Sequence, residues 1–359
     1  MKRIEKIRSK IASDSDALLV ISESNRIYVS GFKSSEGYIL ISKFDAALFL
    51  DFRYYEMALI AKEKGEIPSE IRIVLSEKKR KDNIYEFLEK NDITNLLFED
   101  KFITFEQYTN LLDETKDKCV ISAIGSLFEE CRASKDESEI QNIKHAQSIT
   151  DAAFEHILPY LNPKITEIEV ALELEYFMRK NGASGIAFET ICVSGVKSAL
   201  PHGRPDNKKL GRGFLTMDFG AKYNNYCSDM TRTVCIGNPT PEMKNVYATV
   251  LEAQERAFSE ICAGVPGKIV DSAARDHIFS SGYKGCFGHS TGHSLGIEIH
   301  ESPNFSPSSD ISIPENAVLS VEPGIYIEGK FGVRIEDIVK ISACGFENLT
   351  KSPKELIII

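Results

Sequence analysis

Across residues 17–50, short apolar runs alternate with polar breaks: ALLVIS, RIYVSGF, GYILIS and AALFL. Runs of this length, rich in Ile, Val, Leu, Phe and Tyr and bounded by Ser, Gly, Asn and Asp, predict β-strands. Residues 52–64 and 83–90 read as helices, and IRIVLS and NLLFED add two more strands. Strands and helices alternating in this way predict a compact α/β unit over residues 1–125.

Near residue 134 the pattern changes. Ser134 and Glu137 form a capping box, in which hydroxyl and carboxylate satisfy free amides of a first helical turn. The helix that follows carries Ile140, Ile143, Ile149, Phe154, Ile157 and Leu161 at helical spacing. Thr166 and Glu169 make a second box, and Asn181-Gly182 ends that helix. Thr240-Pro241 opens a third, with Met243, Val246, Val250, Ala257 and Ile261, closing at Gly264; a fourth runs over about 268–281. Hairpin-like strands follow each helix pair, at about 214–236 and 296–341. Two helices then strands, twice, predict an α+β architecture for residues 126–359, with helices on an antiparallel sheet.

Composition narrows the function. Of 359 residues, 43 are Lys or Arg and 53 are Asp or Glu, a net charge of −10. An acidic chain lacks the basic face that nucleic-acid binding needs. The short basic run at 77–82 reads as a solvated helix approach. No stretch nears the about 18–20 apolar residues of a membrane span. At the N-terminus, Glu5, Asp14 and Asp16 break up any signal-peptide core. Eight scattered cysteines without a C-x-x-C pair read as reduced thiols, so the expected location is the cytoplasm. Neither a G-x-G-x-x-G nor a P-loop motif is present.

Chemistry concentrates in two apolar hairpins. In MDFGAKYNNYCSDMTRT, Asp218 and Asp229 interrupt hydrophobic strands. A turn at Tyr223-Asn224 sets them directly opposite. A turn at Asn224-Asn225 offsets them by two residues on the same face, and a three-residue turn puts them on opposite faces unless a bulge intervenes. In LSVEPGIYIEGKFGVRIED, a Glu328-Gly329-Lys330 loop sets Glu322 across from Glu336. Converging carboxylates repel unless protonated or bridged by cations. Three of the seven histidines, His289, His293 and His300, fall within twelve residues. Gly288, Gly292 and Gly296 argue against a helix there, so the segment reads as a glycine-rich loop running into a strand over 295–300. His202, in a loop before the Asp218 strand, can reach the same cleft. His145, His156 and His277 fall in helices and read as structural. One histidine with four carboxylates suits Mn²⁺, and also Co²⁺, Fe²⁺ or Zn²⁺. Two such ions activate a bridging water and polarise a carbonyl.

The order Asp218, Asp229, His293, Glu322, Glu336, within MDFGA, SDMTRT, STGHSLGIEIHE, VEPGIY and GVRIED, resembles the pita-bread metallopeptidases, in the aminopeptidase P and proline dipeptidase (prolidase) branch. DALLVISESNRIYVSGF and DFRYYEMA resemble the creatinase/prolidase N-terminal domain. The resemblance implies an α/β N-terminal domain (1–125) and an α+β pita-bread catalytic domain (126–359), with pseudo-duplicated helices on a curved antiparallel sheet. It implies two divalent metal ions, Mn²⁺ before Co²⁺, Zn²⁺ or Fe²⁺. Asp218 would chelate one metal, Asp229 and Glu336 bridge both, and His293 and Glu322 ligate the other. Glu322 would also act as general base. His202 and His300 would contact the scissile amide, His289 would lie near the proline side, and Arg334 would order the carboxylates. Peptides with proline at the second position are the implied substrates, and a homodimer the implied assembly. Creatinase shares the fold without the metal set, so intact ligands argue against that activity, and against a silent binding module. Residues 301–327 contain no Lys or Arg, although many members place an Arg there for a dipeptide's carboxylate. That favours aminopeptidase P activity, with the dipeptidase as the alternative.

Overall fold

The computed structural model describes residues 2–359. The chain divides into two units, one reaching Arg132 and the other spanning Ala133–Ile359.

In the first unit, six strands form one mixed sheet in the order Arg72–Leu75, Ala46–Leu50, Tyr38–Ser42, Asp16–Val20, Asn95–Phe98, Val120–Ala123. The three central strands pair antiparallel, and the outer pairings are parallel. Parallel neighbours need crossover connections, here supplied by the helices Phe52–Glu63, Arg80–Lys90 and Phe105–Thr115. Tyr38–Ser42 and Ala46–Leu50 are buried along their whole length, as expected of strands covered on both faces. The α/β architecture is as the sequence implies.

One expected strand is a helix. RIYVSGF lies largely in Glu23–Ser30, which starts at Ser22 and stops at Gly31, φ 73°. Tertiary hydrogen bonds override the β-propensity of Ile27, Tyr28 and Val29. The buried Glu99 carboxylate accepts from Ser22 N, Ser22 Oγ and Asn25 Nδ2 at the helix N-terminus, where a negative charge is favoured. The buried Arg26 guanidinium reaches Ser34 and the Glu36 carbonyl.

In the second unit, the long helix is Glu137–Ile157, and its cap is Asp136. Asp136 Oδ1 accepts from Glu139 N (2.9 Å) while Glu139 Oε2 accepts from Asp136 N (3.0 Å). The expected Ser134 box fails because the Ser134 hydroxyl donates to the Glu315 carbonyl instead. Thr166 and Glu169 do cap Glu167–Lys180 reciprocally. Pro241–Ser259 stops short of Gly264, because Ala263 N and Gly264 N bond to the Ser342 and Ile313 carbonyls. Gly267–Ile278 follows.

Two larger antiparallel sheets lie beneath these helices, with a small third one formed by Gly185–Ile186, Ala221–Tyr223 and Tyr226–Cys227. Gly213–Phe219 is central in one, between Ile191–Ser194 and Met230–Ile236. The other runs Glu301–Phe305, Gly292–Ser294, Val318–Val321, Asp337–Ser342, Gly345–Asn348, beside the ribbon Gly324–Ile327 with Phe331–Arg334. Each helix pair packs on its own core. Ile149, Phe154 and Leu174 meet Met217 and Val234 in one; Val246, Val250 and Val270 meet Leu319 and Val339 in the other. The repeated helices-then-strands order is thus a repeated layer. The strand expected over 295–300 lies earlier, at Gly292–Ser294, and 295–300 forms a bent loop.

Candidate metal centre

Turn chemistry sets the first pair of acids. Asn224 (φ 44°) and Asn225 (φ 71°) form a two-residue left-handed turn, a conformation asparagine tolerates. Tyr223 then pairs with Tyr226, and the same register places Thr231 opposite Asp218. Asp229 is therefore offset by two residues on the shared face, the second of the three arrangements considered. In the other hairpin, Ile327 pairs with Phe331 around the 328–330 loop. Val321↔Asp337 and Gly324↔Arg334 keep one register, which brings Glu322 and Glu336 to matching positions. Two backbone bonds tie these strands to their neighbours: Glu336 N to Thr231 O (3.1 Å) and Glu322 N to Thr291 O (2.7 Å). Gly292 lets the histidine strand approach, since an added Cβ would lie 1.9 Å from the Ser320 carbonyl oxygen.

Asp229, His293 and Glu336 each offer a donor atom within 4.8 Å of the others. His293 Nε2 lies 3.5 Å from Asp229 Oδ2 and 3.3 Å from Glu322 Oε1. Its Nδ1 faces the Ser294 carbonyl (3.2 Å), so the proton belongs on Nδ1 and the Nε2 lone pair points to the acids. Burial lowers the His293 pKa, which favours that neutral ring. Asp218 joins the group through Arg334. Arg334 Nη2 donates to Asp218 Oδ2 (2.6 Å), and Nε donates to Thr231 Oγ1 (2.9 Å). Thr231 Oγ1 in turn donates to Glu336 Oε2 (2.8 Å).

Electrostatics mark this centre as short of positive charge. Burial, then repulsion from Glu336, Asp218 and Glu322, pushes Asp229 well above the usual carboxylate range. Burial, then Glu322 and Asp218, does the same to Glu336, and burial raises Glu322. Asp218 Oδ1 is buried without a hydrogen-bond partner among the described residues. Four carboxylates thus face one guanidinium, with an oxygen left over and an imidazole nitrogen free to ligate. Hard oxygen donors with one imidazole fit divalent cations.

The other histidines separate into two kinds. His202 and His300 are exposed, and among the described residues neither ring has a hydrogen-bond partner. The His300 ring stands edge-on to His293, centroids 4.4 Å apart. Burial, then His293 and His202, lowers its pKa. His289 is fully engaged instead: Nδ1 meets Ser290 O and Nε2 meets Tyr326 Oη, both at 2.9 Å. Tyr326 Oη also accepts from Arg334 Nη1 (2.8 Å), and burial pushes its pKa up to about 12, so its proton points to His289.

Residues 141–343 match metallopeptidase family M24, and residues 3–134 match the Creatinase/Prolidase N-terminal domain. The chain belongs to family M24. It is therefore a metal-dependent peptidase, a hydrolase that uses divalent metals. It is 42% identical to the Xaa-Pro dipeptidase from Bacillus anthracis (TM-score 0.94, 99% of each chain covered). It is 39% identical to the X-Pro aminopeptidase from Thermotoga maritima (TM-score 0.91, all of each chain covered). The Xaa-Pro dipeptidase of Pyrococcus horikoshii is 39% identical over 95% of this chain and 94% of its own. The solved relatives carry the pita-bread fold expected of the second unit.

Three further residues of this M24 site escape a reading of acids and histidines alone. Thr231 links Arg334 to Glu336, Tyr326 links Arg334 to His289, and Ser320 donates to Glu322 Oε1 (3.0 Å). Period-two alternation from Glu322 reaches both Ser320 and Tyr326, and the Asn-Asn turn register reaches Thr231.

Proposed function

We propose that this M24 chain holds two divalent cations, Mn²⁺ foremost, and hydrolyses Xaa-Pro peptide bonds as an aminopeptidase P. The observation that carries this reading is the gathering of Asp229, His293, Glu336 and Glu322 beside Asp218, with its buried unpartnered oxygen. Asp218, Asp229, His293, Glu322 and Glu336 hold the metals. Divalent cations in such a centre supply Lewis acidity, lowering the pKa of water toward ~7 and polarising a carbonyl.

Glu322 takes the proton of the attacking water and returns it to the departing proline nitrogen, which carries no hydrogen of its own in the peptide. His202 and His300, exposed and without a hydrogen-bond partner among the described residues, donate to the substrate amide and its developing charge. His289, with both nitrogens engaged, contributes a ring surface on the proline side. Arg334 and Thr231 fix the carboxylates from behind, as partners of metal ligands do.

Four of the five N–H groups of the Arg334 guanidinium are engaged, on Asp218, Thr231, Tyr326 and the Pro201 carbonyl. With residues 301–327 free of Lys and Arg, a dipeptide's proline carboxylate lacks a local cation. Leaving such a group unpaired costs about 1–3 kcal/mol, a factor of roughly five to a hundred and fifty. Ala-Pro-Ala is therefore expected to exceed Ala-Pro in kcat/KM under the same metal. The reverse order would make the enzyme a proline dipeptidase, a reading favoured by the relatives of that name at 42% and 39% identity. Cleavage of neither peptide would overturn both.

We further propose a cytoplasmic homodimer. Eight cysteines without a disulfide support the compartment, and exposed Phe52 and Phe105 of the first unit offer contact surface. Among the described residues, no helix is long and apolar enough to cross a membrane.

A further inference from the structure

His202 sits in the long connection, 195–212, between the strands Ile191–Ser194 and Gly213–Phe219. Its ring makes no hydrogen bond among the described residues, so only the backbone of this connection determines where it points. Long connections without such restraint sample many conformers.

The part of this connection that carries His202 is gripped on both sides, at 194–197 and at 206, by one carboxylate. Glu167, wholly buried in the first turn of Glu167–Lys180, accepts from Ser194 N (2.7 Å) and Ser194 Oγ (2.9 Å) on one oxygen. Its other oxygen accepts from Lys197 Nζ (2.7 Å) and Asp206 N (3.3 Å). Lys197 Nζ also donates to Asp206 Oδ2 (2.7 Å), closing the ring of contacts. Burial lowers the Lys197 pKa, but the bonds to Asp206 and Glu167 more than offset it, so the ammonium stays charged.

The middle is held by the metal-site hairpin. Gly332 N donates to Ser198 Oγ (2.9 Å), and Arg334 Nη1 donates to Pro201 O (3.3 Å). Gly332 is required there, because an added Cβ would come within 2.3 Å of the Ser198 carbonyl oxygen. The arginine that fixes Asp218 thus also touches the residue preceding His202.

We propose that Glu167, Lys197 and Asp206 are positioning residues that set His202 at the substrate amide. A buried ion pair is weak support for stability, since desolvation cancels much of its attraction. What this one does is join residues 197 and 206, on the two sides of His202, in a segment whose centre is already fixed to Arg334. The inference rests on the reading that His202 contacts substrate.

The test is a double-mutant cycle on the Mn²⁺-loaded enzyme with Ala-Pro-Ala, using Lys197→Met, His202→Ala and both together. Lys197→Met is expected to lower kcat by about ten- to a hundredfold, the scale of a small misplacement, with KM and bound metal little changed. Lys197→Arg should recover most of the loss. In the His202→Ala background, Lys197→Met should cost less than about twofold. Equal losses in both backgrounds, or loss of metal, would overturn the clamp alone. A silent His202→Ala would overturn the role of His202 and the clamp with it. Should Lys197→Met fail to fold, Asp206→Asn, which alters the exposed member, replaces it under the same criteria.

Discussion

Glu322 and His300 are both neighbours of His293, yet they are built for different work. Glu322 Oε1 is 3.3 Å from His293 Nε2 and takes a hydrogen bond from Ser320, so it belongs with the acids. His300 presents an exposed ring edge-on to His293, with no hydrogen-bond partner among the described residues. Glu322→Gln keeps the shape but loses both charge and basicity. It is expected to cut kcat by about 10²–10⁴-fold through the lost base and to weaken metal retention as well. His300→Ala is expected to lower kcat/KM while leaving metal content unchanged. Metal analysis alongside the kinetics checks the division, and a His300→Ala protein stripped of metal would contradict it.

At the scale of elements, the fold and the centre were legible wherever register and capping are local. A two-residue Asn-Asn turn and a three-residue Glu-Gly-Lys loop determine which acids share a face, and both are visible as residues in sequence. What stayed hidden was non-local. Glu99, some seventy residues away, turns RIYVS into a helix, and the Glu315 carbonyl takes the hydroxyl that Ser134 would have used as a cap. Tyr326 and Thr231 were missed because their roles depend on where the Arg334 guanidinium reaches across strands. Asp45 shows the same kind of link. From the turn between two strands it accepts from Arg72 Nε (3.0 Å) and Nη2 (2.7 Å), and from Lys90 Nζ (3.0 Å). Burial alone raises its pKa, but those bonds and charges outweigh it and hold the carboxyl far below its ordinary 3.8. A folded pKa below the unfolded one stabilises fully above the unfolded value and less as pH falls beneath it. Asp45→Asn is thus expected to cost about 1 kcal/mol at neutral pH, the partners being largely exposed. Urea unfolding should show the difference shrinking below about pH 4. A difference constant with pH would show that charge is not its source.

Taken as a whole molecule, the chain carries a net charge of −10, and its most concentrated negative charge is buried among apolar strands of the second unit. Asp229 and Glu336 are buried to within a few per cent, and the nearby guanidinium of Arg334 is already shared among four partners. Such an arrangement has its physical explanation in cations that belong to the working protein. The most direct measurement strips the enzyme with a chelator, then titrates Mn²⁺ back while following Ala-Pro-Ala hydrolysis and bound metal per chain. The expected result is no hydrolysis without metal and full recovery at about two ions bound per chain. Hydrolysis that survives chelation, or that is complete with a single ion bound, would contradict the two-metal centre.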